Sequence, residues 1–225
     1  MEALALIILV ASSSLFSATN AVEYVATNNA VGTPGGDRFD SEIGLDYSKQ
    51  VLAAASSFIW TTFQQPSEAD RKPVQLITLI VESMDGVAYT NSNHEIHVSA
   101  NYIAGYNGDV RTEIVGVLYH EATHVWQWNG AGAANPGLIE GIADFVRLKA
   151  GYAPGHWVGP GGGDRWDQGY DVTARFLDYC NDLMSGFVAQ LNAKMKTGYS
   201  DDFFLQLLGK TVDQLWADYK AKYGG

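Results

Sequence analysis

The sequence predicts an α+β domain: a small sheet with helices, followed by a mainly helical C-terminal part. Three observations point there. β-rich runs with short alternations are confined to the first half of the chain, and helical periodicity fills the second. The residues are 47% hydrophobic and 17% charged, which supplies a packed core and argues against global disorder. One Cys in 225 residues leaves no disulfide framework, and a chain of this length can bury a core as one domain.

The elements follow in chain order. The first residues read as a secretory signal peptide spanning 1–21. Leu4 to Val10 is its apolar run, too short to span a bilayer, and Ala18–Ala21 supplies small residues before Val22. Glu2 stands where a positive n-region is usual. Residues 22–225 then form the domain. Leu45 to Phe63 reads as a helix with Val51, Leu52, Ala55 and Ile59 on one face. Pro73 to Val81 is a β-rich run, and Met84-Asp85-Gly86 marks a turn. Val87 to Tyr89 and Glu95 to Ser99 read as short strands, the stretch from Asn93 to Ser99 alternating like the edge of a sheet. His94 and His97 then lie on an exposed face.

Helices follow over Val110–Trp128, Pro136–Ala150 and Tyr170–Met184, then near Val188–Met195, Phe203–Leu208 and Val212–Lys222. Asn135-Pro136 supplies a cap and a first helical residue, Gly151 a stop, and Thr211 another cap. Gly159 to Gly163 is a loop. Cys180 sits in an apolar pattern and reads as a buried free thiol.

Charge narrows the function. With 14 Lys+Arg against 25 Asp+Glu, the formal net charge is −11. Neutralising phosphates needs a basic surface, so nucleic acid is excluded as a partner. Gly209-Lys210-Thr211 resembles the end of a phosphate loop, but Phe204 stands where that loop needs Gly. With one Cys, any metal must be held by His and carboxylates.

His120-Glu121-Ala122-Thr123-His124 supplies them. On a helix, residues four apart differ by about 40° in azimuth, so both imidazoles project from one face and can hold one Zn2+. Glu121 is then placed to take a proton from an attacking water. A catalytic zinc site needs a third protein ligand and an open position. Across a gap of fifteen residues from His124, Glu140 can reach the metal, and Asp144, one turn on, can accept a hydrogen bond from a ligating imidazole. Gly130 to Ala134 allows the two helices to lie antiparallel. The metzincin pattern would need Gly and His where Gln127 and Gly130 stand, which leaves the gluzincin arrangement. Tyr170, Tyr179 and His156 are candidates for a second electrophile at the oxyanion. Tyr170 is preferred because it follows the Gly loop and opens the next helix.

Three longer stretches carry a closer resemblance: His120 to Gly130 (HEATHVWQWNG), Gly137 to Asp144 (GLIEGIAD) and Trp166 to Tyr179 (WDQGYDVTARFLDY). They resemble the plant basic secretory protein family, also described as peptidases of plants and bacteria, from about Val22 to the C-terminus. The resemblance implies a secreted, apoplastic, pathogenesis-related protein with a zinc metallopeptidase site like that of thermolysin and aminopeptidase N. It carries over His120, His124 and Glu140 as ligands and Glu121 as the catalytic carboxylate. This chain departs from the family's name in being acidic. The expectation is one Zn2+ per chain, a monomer acting on peptide or protein substrates, and no membrane after signal cleavage. The rival expectations are a non-catalytic defence or binding protein that keeps zinc for structure, and a zinc hydrolase acting on bonds other than peptides.

Overall fold

The computed structural model describes residues 21–224. The signal-peptide reading therefore falls, except for Ala21, outside the described residues.

The first half forms a four-stranded mixed sheet in the order β1-β2-β4-β3. Its strands are β1 (Glu23–Asn28), β2 (Leu76–Glu82), β3 (Ala88–Thr90) and β4 (Glu95–Ser99). β1 and β2 are parallel, as are β2 and β4, and β3 runs antiparallel to β4. Between β1 and β2 lie α1 (Pro34–Glu42) and α2 (Leu45–Thr62), with the expected apolar face of α2 buried. A parallel pair requires such a crossover. Ile77, Leu79, Val81, Ile96 and Val98 are fully buried on one sheet face.

One expectation is corrected here. β4 is interior, bonded to β2 on one side and β3 on the other, so the edge on that side of the sheet is β3. His97 is also not free at an exposed face. Its Nδ1 lies 2.7 Å from Glu82 Oε1, and its ring stacks on Tyr89 at 4.5 Å. His94 occupies the turn before β4 with a φ of 61°.

After α3 (Ala100–Gly105), the second half is helical: α4 (Val110–Trp126), α5 (Pro136–Lys149), α6 (Tyr170–Leu183), α7 (Phe187–Lys194), α8 (Asp202–Leu208) and α9 (Val212–Tyr223). α4 is buried over most of its length and packs against α2, α5 and β3. Asp109 caps its start by accepting from Thr112 N–H. It ends two residues before the expected Trp128, because Gln127 turns extended and Trp128 N–H donates to Asn192 Oδ1. Asn135 caps α5 as expected, accepting from Gly137 N–H.

α5 is sandwiched between α4 and α6. The close approach to α6 depends on Gly141: a Cβ there would stand 2.2 Å from Thr173 Cγ2. Trp166, Phe176, Phe187, Phe204 and Tyr219 form an aromatic core beneath the later helices, and Cys180 is buried with them. Among the described residues no helix is long and apolar enough to cross a membrane.

Candidate metal centre and cleft

Two helices and one sheet edge build the site. His120 and His124 project from one face of α4, and Glu140 faces them from the first half of α5. His120 Nε2 lies 3.1 Å from Glu140 Oε2 and 3.1 Å from His124 Nε2. His124 Nε2 lies 3.5 Å from the same carboxylate oxygen. Three donors bound tetrahedrally at zinc bond lengths would stand about 3.3 Å apart. Two imidazoles and a carboxylate thus already have the spacing such an ion needs. Among the described residues this is the one cluster of three or more potential ligands so arranged.

Two buried side chains hold the imidazoles from behind. Asp144 is 3% exposed, and its Oδ1 lies 2.6 Å from His120 Nδ1. That bond fixes the ring so that Nε2 faces the cluster. Burial opposes charge on His120, but the bonds to Asp144 and Glu140 outweigh it and raise its pKa to about 10. Burial likewise opposes ionisation of Glu140, yet its bonds to His120 and His124 hold its carboxyl well below the usual range.

Gln127 does for His124 what Asp144 does for His120, and local sequence reading missed it. Its Nε2 lies 2.7 Å from His124 Nδ1 and 3.2 Å from Ile139 O, while its buried Oε1 has no partner. An ion on His124 Nε2 leaves the ring proton on Nδ1, which then needs an acceptor. Turning the amide over presents the orphaned Oε1 to that proton, at the loss of the longer bond to Ile139. The residues present therefore fit a zinc ion. The signal was available as a polar residue one turn beyond His124, but only the fold shows that it points back at the ring.

Glu121 is 5% exposed and lines a cleft of about 900 Å3 that also exposes His120, His124 and Glu140. Its Oε2 accepts from Thr90 Oγ1 at 2.7 Å. Tyr170 is at the cleft too. It is 57% exposed, and its ring lies parallel to His120 with centroids 6.1 Å apart. The negative charge of Glu140, then burial, raises its pKa. Tyr170 opens α6 in the left-handed region, with a φ of 47°. This is a costly conformation for a bulky side chain and one that concentrates at functional sites.

The other two electrophile candidates part company. His156 lines the cleft from an exposed loop. Tyr179 is 7% exposed and packs on Tyr219, away from the cleft lining. Nine residues along a helix bring it about 180° round from Tyr170, so that candidate is withdrawn.

The cleft is also lined by a buried ion pair. Arg147 Nη2 lies 2.9 Å from Glu113 Oε2, and Arg147 Nε donates to Tyr152 O. Tyr102 OH donates to Glu113 Oε1 at 3.0 Å. Gly116 makes room for the guanidinium, since a Cβ there would stand 2.6 Å from Arg147 Nε.

Residues 19–219 match the family described as "Peptidase of plants and bacteria". Over 59 residues the chain is 52% identical to a "Basic secretory protease" of Boswellia serrata, a stretch covering 26% of this chain and 67% of the other. No solved structure matches significantly.

Proposed function

The chain belongs to the peptidases of plants and bacteria, and from that premise we propose that it is a secreted zinc metallopeptidase of gluzincin type. A signal peptide over 1–21 directs residues 22–225 to the extracellular space, the apoplast or cell wall of a plant, where the enzyme acts in defence as a monomer. The relative's name, "Basic secretory protease", supports both secretion and proteolysis. The observation that carries the reading is the triad of His120, His124 and Glu140, with donor atoms 3.1–3.5 Å apart beside Glu121 in an open cleft.

His120, His124 and Glu140 would hold the ion. When bound, zinc would supply a Lewis acid that makes water more acidic and stabilises negative charge at the attacked carbonyl. Glu121 takes the proton of the attacking water on its carboxylate and then delivers it to the leaving amine nitrogen. Tyr170 donates its hydroxyl proton in a hydrogen bond to the substrate oxyanion. Asp144 keeps His120 in the ligating orientation.

The edge strand β3 receives the peptide. Val87 O accepts from Ser99 N–H and Asn91 N–H donates to Glu95 O, so those residues face β4. By the alternation of an antiparallel ladder, the main-chain groups of Ala88 and Thr90 point outward, free to pair with an extended substrate.

The experiment is paired. Zinc is measured in the purified mature protein, and cleavage of casein and of a peptide library is compared for wild type and Glu121→Gln. One zinc per chain is expected in both, with cleavage in the variant lower by about 10²–10⁴-fold. Absence of zinc, or wild-type cleavage by the variant, overturns the mechanism. Stoichiometric zinc with no cleavage by either favours a binding protein that keeps zinc for structure.

A further inference from the structure

We propose that Thr90, on the edge strand, is a positioning residue for Glu121, so that the strand receiving the substrate also aligns the general base. The inference rests on the reading of Glu121 as that base.

Thr90 Oγ1 lies 2.7 Å from Glu121 Oε2 and 3.0 Å from the main-chain oxygen of the same residue. Among the described residues it is the one side chain hydrogen-bonded to the Glu121 carboxylate. Without it, that carboxylate swings on three side-chain torsions, and a displacement of about 1 Å in a reacting group can cost on the order of 10²-fold in rate.

The geometry suits a group that gains and loses a proton within each turnover. A hydroxyl has one proton and can also accept. While Glu121 is a carboxylate, Oγ1–H donates to Oε2. Once Oε2 carries the proton taken from water, it donates to Oγ1, and the hydroxyl hydrogen turns to the Glu121 carbonyl. No covalent bond of Thr90 breaks, and Glu121 keeps one partner in both states.

The main chain adds a second link. Thr90 is one of the residues whose N–H and C=O face away from β4. A peptide pairing with β3 therefore grips the residue that holds the base.

The test compares kcat and KM on a fluorogenic peptide for wild type, Thr90→Val and Thr90→Ser, with zinc content and thermal midpoint measured on each. Thr90→Val keeps the shape and removes the hydroxyl. It is expected to lower kcat by about 10–100-fold, with KM within about twofold and zinc stoichiometry unchanged. Thr90→Ser restores most of that loss. Thr90→Ala takes the place of the valine form if that form does not fold. Wild-type kcat in the hydroxyl-free form, or equal impairment in the serine form, overturns the role of Thr90 while leaving the peptidase reading intact. A wild type that cleaves no peptide overturns both.

Discussion

Replacing Arg147 with methionine removes the cation from a pair whose side chains are 9% and 6% exposed. Glu113 then keeps only the hydroxyls of Tyr102, at 3.0 Å, and Tyr106, at 3.4 Å. The carbonyl of Tyr152 loses a donor at 2.9 Å. Breaking a buried pair from one side costs about 3–5 kcal/mol, because the surviving charge stays desolvated. In a domain of this size 1 kcal/mol moves the thermal midpoint by about 2–4 °C, so a fall of about 6–20 °C is expected. Glu113→Gln in the Arg147→Met background removes the stranded charge and leaves a group that the tyrosines can still bond. That double variant should recover about 1–3 kcal/mol over Arg147→Met alone. Urea and thermal denaturation of all four forms, followed by far-ultraviolet circular dichroism in chelator, measure both quantities without involving the metal. An Arg147→Met form within about 0.5 kcal/mol of wild type, a change usual for surface sites, refutes the reasoning. So does a double variant as unstable as the two single losses added together.

Three further outcomes are expected. Tyr170→Phe should lower kcat by about 10²–10³-fold with KM little changed, as for loss of an oxyanion donor. An unchanged kcat in steady-state assays would move that role to another group, His156 first. Gln127→Ala should weaken zinc binding by about 10–100-fold in competition with a chromogenic chelator, because His124 loses the partner of its Nδ1. Wild-type affinity would mean that His124 needs no such support. Cys180 is buried, and burial pushes its thiol up. A thiol reagent should therefore label the native chain far more slowly than the urea-unfolded one, and rapid native labelling would contradict its place in the core.

Much of the site was legible because its parts are local. His120 and His124 are one helical turn apart, as are Glu140 and Asp144, and Asn135-Pro136 fixes where the second of these helices begins. Helical periodicity alone placed α2 within a residue of its ends. β1 and α1 went unread for local reasons as well. β1 has no clean alternation of buried and exposed residues, and α1 opens with Pro-Gly-Gly, held by a Thr33 cap and by Gly35 and Gly36 buried against neighbouring backbone.

What the sequence determined by itself was the set of candidate metal ligands and the helices that carry them, since spacing on one helix fixes direction without reference to the rest of the chain. Only the tertiary structure decided the sheet order, and with it that β3 rather than β4 borders the cleft. Strand pairing is a choice among distant partners, and alternation reads the same on an edge as in the interior. The same is true of Thr90 at Glu121, 31 residues apart, and of Arg147 at Glu113, 34 residues apart. In such pairs each side chain is an ordinary polar residue until packing removes water and leaves the other as its partner.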